Sequence, residues 1–355
     1  MSSDPTNVGL AGLDCPVPVV SNDRIALGHG SGGKLSGRLI ERTILPALRN
    51  PVLEALEDQA SLSVGAERIA FTTDSFVVSP LFFPGGDIGE LAVNGTVNDL
   101  AVGGAVPKFL SLALILEEGL PMSDLERVLA SIRRAADRAS VIVVTGDTKV
   151  VGKGSGDGIF INTAGIGVPR PGVELGSHRV RPGDAVIVSG TMGDHGIAIL
   201  SLREGLELDG ELASDTAPLH DLVRAMLDAC RDIHAMRDPT RGGLAATLVE
   251  IASRRAVGIE IEETRVPVKD VVRGASEIFG LDPMHVANEG KLAAFVPERD
   301  AARVLEAMHT HPLGRDAAVI GRVTDEHAGM VVVRTPIGGR RILDLPFTEA
   351  LPRIC

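Results

Sequence analysis

Apolar residues recur along the chain in two alternating patterns, one typical of strands and the other of helices. Short apolar runs predict strands at 24–27, 68–73, 141–144, 159–166, 185–189, 292–296, 317–323 and 330–334. Helical spacing predicts helices over 87–102, from 123 onward, from 243 to 251 and over 301–309. The helix over 87–102 is apolar nearly all round, which predicts a buried position. Since strands and helices alternate in both halves, we predict two α/β or α+β domains.

Proline and glycine mark the boundaries of these domains. Two prolines and a glycine within residues 168–172 interrupt both patterns and place the main boundary there. Residues 1–23 are small, polar and punctuated by proline, so we expect a mobile N-terminal arm. The first domain then covers 24–167, the second covers 168–340, and 341–355 form a mobile tail that ends in a cysteine.

The composition argues against several classes of partner. With 35 basic and 47 acidic side chains among 355 residues, the net charge is −12, which disfavours binding to duplex nucleic acid or to an anionic membrane. There is no Trp or Tyr to stack on single-stranded bases. The longest apolar stretch, 109–116, is far shorter than the ~20 residues of a membrane-spanning helix. Three widely spaced cysteines are too few for a disulfide framework and fit a reducing cytoplasm.

Glycines concentrate in the segment GHGSGGK, residues 28–34. Gly28, Gly33 and Lys34 have the spacing of a Walker A motif. However, Leu35 stands where a magnesium-binding Ser or Thr belongs, which disfavours a P-loop. A looser interpretation is a glycine-rich flap whose N–H groups and Lys34 cover phosphates. The alternative is a flexible surface loop.

Four aspartates stand in similar local contexts. Asp74 and Asp147 each come just after an apolar strand, and Asp238 precedes the start of a helix. Asp99 lies on a helix with little polar surface, where a buried carboxylate needs a cation or strong donors. Mg²⁺ with nucleotide phosphates would satisfy this need, because hard cations prefer oxygen ligands. The alternative is that these aspartates cap helices and end strands.

Two further residues are candidates for chemistry. Cys355 ends a proline-containing tail, so its thiol can swing. Its reactive thiolate, with an ordinary pKa of about 8.5, would need a positive pocket, to which Arg353 or Lys149 could contribute. The alternative is a terminal cysteine without a role. Glu289 stands immediately before a strand and is a candidate acid or base, unless it is an exposed turn carboxylate.

Taken together, the segments of the chain resemble the HypE family of hydrogenase maturation proteins. That family lies within the superfamily of aminoimidazole ribonucleotide synthetase and selenophosphate synthetase. The resemblance runs through nearly all the chain from residue 24. It rests on the segments GHGSGGK (28–34), TDSFVVSPLFFPGGDIG (73–89), GTVNDLAVGGA (95–105), ILEEGLPM (115–122), VTGDTKVV (144–151), INTAGIG (161–167), SGTMGDHG (189–196), RDPTRGG (237–243), ANEGKL (287–292), HPLGRDAAVIG (311–321) and LPRIC (351–355).

The resemblance implies a fold, a quaternary structure and a set of ligands. The fold is a two-domain, aminoimidazole ribonucleotide synthetase-like α/β fold, whose first domain pairs with its copy in a homodimer. ATP with Mg²⁺ binds at the first domain beneath the flap. The implied metal ligands are Asp74, Asp99 and Asp238. The implied nucleotide-binding residues are Gly30, Gly32, Gly33, Lys34, Asp147 and Thr148.

The reaction that the resemblance implies takes place on the terminal cysteine. The carbamoyltransferase HypF loads a carbamoyl group on Cys355, and the chain uses ATP to dehydrate it to a thiocyanate. The cyano group then passes to iron on a HypC–HypD complex, for [NiFe]-hydrogenase. Two protons must leave the nitrogen, and Glu289 and Lys149 are the candidate bases.

Two alternatives remain open beside this reaction. The first is selenophosphate synthesis or another ATP-dependent phosphoryl transfer of the same superfamily. Selenophosphate synthesis is associated with a Cys or selenocysteine where this chain has Ser31. From a different class, the chain could be a nucleotide-binding scaffold for maturation partners without turnover.

Overall fold

The computed structural model describes residues 24–30, 32–206, 212–346 and 353–355. The chain begins with short helical segments at Lys34–Leu39 (α1), Ile40–Ile44 (a π-helical turn) and Leu45–Leu48 (α2). Two α/β domains follow, and the first ends near Pro169.

The first domain is built on a five-stranded mixed sheet in the order β1-β2-β7-β5-β6. These strands are Ala60–Val64 (β1), Glu67–Phe76 (β2), Ala105–Glu117 (β5), Ile142–Val151 (β6) and Ile159–Pro169 (β7). Only β5 and β6 run parallel to each other. A short hairpin follows β2 and consists of Phe82–Phe83 (β3) and Gly86–Asp87 (β4). The domain also contains two helices, Ile88–Val102 (α3) and Met122–Ala139 (α4).

Helix α3 packs between the first sheet and the second domain. Asp87 caps its first turn, because the N–H groups of Gly89 and Glu90 donate to the Asp87 carboxylate at 2.8 and 3.1 Å. All of its residues except Glu90 and Asp99 are buried. The helix contacts three strands of the first sheet on one side and the second domain on the other. The prediction of a buried helix is confirmed, and this burial explains its apolar character all round.

The opposite face of the first sheet is exposed among the described residues. Phe71, Ile166, Phe109 and Ile142 lie in one row across neighbouring strands, and each is at least 38% exposed. Strand β6 forms the edge of the sheet, and its residues are exposed along nearly its whole length. A continuous apolar face of this kind indicates an interaction surface.

The second domain contains a seven-stranded mixed sheet in the order β14-β13-β10-β12-β8-β11-β9. Its strands are Asp184–Val188 (β8), Ala235–Arg237 (β9), Gly258–Glu262 (β10), Ala293–Pro297 (β11), Ala318–Thr324 (β12), Val331–Arg334 (β13) and Arg340–Leu343 (β14). Its helices are Asp194–Glu204 (α5), His220–Ala229 (α6), Gly243–Arg255 (α7), Asp270–Phe279 (α8) and Glu298–His309 (α9). The apolar side chains of α7 cover one face of the sheet, and those of α6 and α9 cover the other.

Most predicted strands and helices are confirmed to within a few residues, but several local predictions are wrong. The predicted strand at 24–27 is absent, and a turn of 3₁₀-helix occupies Leu27–Gly30 instead. Asp74 and Asp147 lie inside β2 and β6 rather than after them. The predicted tail begins at 341, yet Arg340–Leu343 pairs with β13 as a strand. Among the described ranges, no helix combines the length and apolar character needed to cross a membrane.

Candidate active site

Carboxylates from both domains meet beside α3. Asp58, Asp99 and Asp238 each place an oxygen within 4.8 Å of the others. Asp58 lies in the loop before β1, Asp99 on α3, and Asp238 directly after β9. Asp74 of β2 adjoins this set, since the Asp74 and Asp99 carboxyls influence each other's pKa. We call these four residues the acidic cluster.

The local structure around β2 holds the acidic cluster in place. The Thr72 hydroxyl lies 2.6 Å from Asp99 Oδ2 and 2.9 Å from the carbonyl oxygen of Asp58. Strand β2 can approach α3 because Gly95 has no side chain. A Cβ there would lie 2.9 Å from the ring of Phe76. Sequence and packing together therefore bring the Asp74 and Asp99 carboxyls next to each other.

The electrostatics of the acidic cluster favour binding of a cation. Partial burial, and then the charges of neighbouring aspartates, raise the pKa of Asp99 and of Asp238 well above its ordinary value. Burial also raises the pKa of Asp58 to about 6, although the guanidinium of Arg237 acts against it. Several carboxylates at this spacing cannot all ionise unless a cation offsets them. Hard oxygen ligands of this type fit Mg²⁺.

Glu289 lies beside the acidic cluster and is buried, with 3% of its surface exposed. Its backbone N–H donates to Asp215 Oδ1 at 3.0 Å, and its carbonyl accepts from Asn98 at 3.3 Å. Burial first, and then the charges of Asp215, Asp238 and Asp74, raise the pKa of Glu289 well above its ordinary value. Within the described ranges its Oε1 atom has no hydrogen-bond partner. The alternative of an exposed turn carboxylate is therefore wrong.

The glycine-rich loop packs against the turn that follows Asp238. The carbonyl of Gly30 accepts a hydrogen bond from Arg241 at 3.2 Å. Gly32 has φ +79°, and a Cβ there would lie 2.7 Å from the Arg241 carbonyl oxygen, so only glycine fits this contact. Gly33 precedes the first residue of α1, Lys34, whose ammonium pairs with Asp344. The loop thus lies near the acidic cluster, because the charge of Arg241 also acts on Asp74.

Asp147, Thr148 and Lys149 lie far from the acidic cluster within one chain. They belong to the edge strand β6, three places from β2 in the sheet order. At a spacing of ~4.8 Å between strands, this separation is about 14 Å. All three side chains are exposed, and Lys149 Nζ donates to Asp147 Oδ1 at 3.0 Å. A single chain does not bring these three predicted site residues to the other predicted residues.

The last three residues pack against the first domain. Cys355 is 8% exposed and lies in an apolar cluster with Phe76 and Val78. The N–H of Val77 donates to a main-chain oxygen of Cys355 at 3.1 Å, and the N–H of Ser79 donates to the Arg353 carbonyl at 3.3 Å. The structure therefore places the terminal thiol inward. The rest of the predicted tail, at 347–352, lies outside the described residues.

Comparison with known proteins identifies the family. Residues 56–169 match AIR synthase related protein, N-terminal domain, and residues 181–334 match AIR synthase related protein, C-terminal domain. The chain is 52% identical over 334 residues to the carbamoyl dehydratase HypE of Azotobacter vinelandii, a match that covers 94% of this chain and 98% of that protein. The chain belongs to the HypE family. The predicted family and the predicted two-domain fold are thereby confirmed.

Solved HypE structures match this HypE-family chain across both domains. A chain in the crystal structure of a HypE–HypF complex is 48% identical, with a TM-score of 0.83 and coverage of 87% of this chain and 99% of that one. The crystal structure of HypE in complex with ATP gives a TM-score of 0.79 at 48% identity, with coverage of 94% and 100%.

Sequence reasoning missed Asp58 as a member of the acidic cluster. Asp58 stands two residues before β1, a strand that the apolar pattern did not predict. Its carboxylate is held by an ion pair with Arg237 of the second domain. The clue available in the sequence was an acidic pair, Glu57 and Asp58, immediately before a short alternating segment.

Proposed function

We propose that this HypE-family chain uses ATP to dehydrate a carbamoyl group carried on its own Cys355 thiol, giving a thiocyanate. The observation that carries the proposal is the inward position of Cys355. A main-chain oxygen of Cys355 accepts a hydrogen bond from the N–H of Val77, three residues after Asp74 along the chain. Three residues span at most about 10 Å, so the end of the chain reaches the neighbourhood of the acidic cluster.

The reaction needs a phosphoryl donor because the carboxamide oxygen is a poor leaving group at neutral pH. Transfer of the γ-phosphoryl group of ATP to that oxygen forms an oxygen–phosphorus bond. The carbon–oxygen bond then breaks with departure of phosphate, and the nitrogen loses two protons to form the nitrile. The balanced sum is a carbamoyl thioester plus ATP, giving thiocyanate, ADP, phosphate and one proton. Positioning and charge neutralisation supply most of the catalysis of such transfers.

Glu289 is the base that the geometry favours. Its Oε1 atom has no hydrogen-bond partner within the described ranges, and burial raises its pKa, which makes the carboxylate a stronger proton acceptor. The inward tail supports this role, because the main chain of Ile354 is linked through His195 to Ser214, and the main chain of Glu289 bonds to the adjacent Asp215.

The acidic cluster would hold Mg²⁺ through Asp58, Asp99 and Asp238, with Asp74 beside them. The bound ion would offset the negative charge of the phosphates. The glycine-rich loop, with Gly30, Gly32, Gly33 and Lys34, would cover the nucleotide. Lys34 pairs with Asp344 in the described structure, so nucleotide phosphates would compete with that carboxylate for the same ammonium.

We infer that the chain works as a homodimer through the exposed face of its first sheet. The row of Phe71, Ile166, Phe109 and Ile142 offers an apolar surface for a second copy. Such pairing would cover β6 and place Asp147, Thr148 and Lys149 between the copies. Nucleotide binding by Asp147 and Thr148, and proton transfer by Lys149, therefore belong to the dimer in this proposal.

The partners follow from the same chemistry. A carbamoyltransferase must load Cys355, and an iron acceptor must take the cyano group; we assign these roles to HypF and to a HypC–HypD complex. The relative crystallised as a HypE–HypF complex supports the first assignment. We place the reaction in the cytoplasm, since the cysteine content fits a reducing compartment.

An isotope experiment tests the proposed function. Cys355 would be carbamoylated with a carboxamide that carries heavy oxygen, and the protein would then be mixed with Mg²⁺ and ATP. We expect the heavy oxygen in the released phosphate, with none in water. Heavy oxygen recovered in water would contradict phosphoryl transfer to the carboxamide. The Cys355→Ala chain, which has no acceptor thiol, is the control.

A further inference from the structure

His195 links the docked C-terminus to the segment that precedes α6. It is the second residue of α5 and is completely buried. Its Nε2 atom lies 2.7 Å from the carbonyl oxygen of Ile354, and its Nδ1 atom lies 2.7 Å from the hydroxyl oxygen of Ser214. The ring of Phe83 packs edge-on against the imidazole, with centroids 5.6 Å apart. The imidazole therefore has a polar partner at each nitrogen.

The partners of His195 define its tautomer. A carbonyl oxygen only accepts, so Nε2 must carry the proton that is donated to Ile354. Burial lowers the pKa of His195, which favours the neutral ring, and Nδ1 then accepts from the Ser214 hydroxyl. The Ser214 oxygen in turn accepts from the backbone N–H of Thr216 at 3.1 Å. These hydrogen bonds all run in one direction and hold the imidazole with its donor towards the tail.

The same segment also contacts the candidate base. Asp215, the neighbour of Ser214, accepts a hydrogen bond from the backbone N–H of Glu289 at 3.0 Å. It also pairs with Lys291 at 3.3 Å. Two adjacent residues thus connect the main chain of Ile354, through His195, to the main chain of Glu289.

We propose that His195 and Ser214 are positioning residues for the dehydration, which hold the C-terminal peptide so that the group on Cys355 stays near Glu289. The contact is to the main chain of Ile354 and not to the sulfur. It therefore retains the free, carbamoylated and cyanated tail alike. This role rests on the proposed function. Arg203 adds a second contact of the same kind, since it donates to the carbonyl of Arg353.

Two substitutions at His195 distinguish the effect of its hydrogen bond from the effect of its ring packing. His195→Phe keeps a flat ring without a donor, whereas His195→Gln keeps a donor amide near the position of Nε2. The full-length protein would be carbamoylated, and dehydration measured in a single turnover with Mg²⁺ and ATP. Alkylation of Cys355 by iodoacetamide, located by peptide mass, would report how often the tail leaves its site.

We expect His195→Phe to alkylate roughly tenfold faster at Cys355 and to dehydrate roughly tenfold more slowly, as loss of one buried hydrogen bond predicts. ATP affinity and carbamoyl loading should not fall. His195→Gln should recover most of both effects, and Ser214→Ala should fall between them. His309→Phe removes a similar bond, from Nε2 to the Ala317 carbonyl at 2.8 Å, away from the tail, and is the matched control.

Unchanged alkylation and turnover in His195→Phe would overturn the proposal, as would a His195→Gln protein as defective as His195→Phe. If His195→Phe fails to fold, the comparison of Ser214→Ala with wild type decides the matter by the same two measurements. A wild-type protein that does not dehydrate would contradict the proposed function instead. The alkylation rates would still test whether His195 retains the tail.

Discussion

The acidic cluster and strand β6 both carry residues expected to act on ATP, yet a single chain encloses only the first of these regions. In the acidic cluster, Asp58, Asp99 and Asp238 come from distant parts of the chain and meet within 4.8 Å. On β6, Asp147 and Lys149 are exposed and pair with each other. The difference lies in what covers each region, since α3 and the second domain enclose the first and no described residue encloses the second.

This difference supports the proposed division between residues that act within one chain and residues that act across a dimer. Partly buried carboxylates of like charge disfavour one another until a cation binds, so we expect the acidic cluster to bind a cation within a single chain. An exposed ion pair such as Asp147–Lys149 contributes little and separates readily when a better partner is offered. We therefore expect changes in the acidic cluster to act within one chain and changes in β6 to act across the dimer.

The largest expected effect is a loss of dehydration rate on substitution of Glu289, which lies beside the enclosed acidic cluster. Glu289→Gln keeps size and hydrogen bonding but cannot accept a proton at neutral pH. A positioned base contributes ~10²–10⁴-fold, so single-turnover dehydration should fall by about that factor. Carbamoyl loading and ATP affinity should change little, and the carbamoylated form should accumulate. Glu298→Gln, at the exposed start of α9, is the control; an undiminished rate in Glu289→Gln would show that another group is the base.

Mixing two inactive variants tests whether β6 acts across the dimer. Lys149→Ala and Glu289→Gln should each be impaired alone. If Lys149 of one copy serves the acidic cluster of the other, each mixed dimer contains one intact site, and equal mixing with subunit exchange restores about a quarter of wild-type activity. No recovery, with subunit exchange verified, would place Lys149 in the site of its own chain or remove it from the reaction.

Asp99→Asn tests whether Asp99 contributes to Mg²⁺ binding in the acidic cluster. An amide is easier to bury than a carboxylate, so the metal-free variant should be at least as stable as wild type. It should nevertheless bind nucleotide more weakly in the presence of Mg²⁺, because one oxygen ligand has lost its charge. Calorimetric titration with and without Mg²⁺ measures this difference. Equal affinities for wild type and Asp99→Asn would exclude the proposed metal role of Asp99.

The smallest expected effect is a dependence of stability on pH. A raised carboxyl pKa means that the folded chain binds protons more tightly than the unfolded chain does. The stability from Asp58, whose pKa is about 6, is complete below the unfolded value of about 4 and is lost as the pH rises through 6. Burial and neighbouring carboxylates also raise the pKa of Asp99 and of Asp238, so these two groups add to the loss of stability as the pH rises.

Thermal unfolding with and without Mg²⁺ measures this dependence. Without Mg²⁺ the midpoint of wild type should fall between about pH 5 and about pH 7.5 more steeply than that of Asp99→Asn. The stabilisation by Mg²⁺ should grow over the same range, since the ion binds the ionised carboxylates. Stabilisation by Mg²⁺ that is the same at both ends of the range would contradict the assignment.

The sequence predicted those parts of the molecule that depend on local pattern. Helix α3 follows from its apolar residues, and the isolated Asp99 on it indicated a need for a cation. The segment ANEGKL also predicted that Glu289 stands just before a strand. Each of these signals lies within one segment of about fifteen residues, where periodicity and composition are informative.

Other features depend on contacts between distant segments. Asp58 joins the acidic cluster through Arg237, nearly 180 residues later, and no local pattern records such a pair. The sequence also did not predict that β6 is an exposed edge strand, because a parallel strand at the edge of a sheet and one at its centre have similar apolar sequences. The inward tail depends on main-chain hydrogen bonds to Val77, Ser79 and His195, and side-chain composition does not encode their partners.

The intact mass of the wild-type protein through one reaction cycle tests the central claim most directly. After incubation with the carbamoyl donor system, the chain should gain the mass of one CONH unit, and Cys355→Ala should gain nothing. After addition of Mg²⁺ and ATP, the wild-type adduct should lose the mass of one water molecule as ADP is formed. An adduct that keeps its full carbamoyl mass in the presence of Mg²⁺ and ATP would contradict the account.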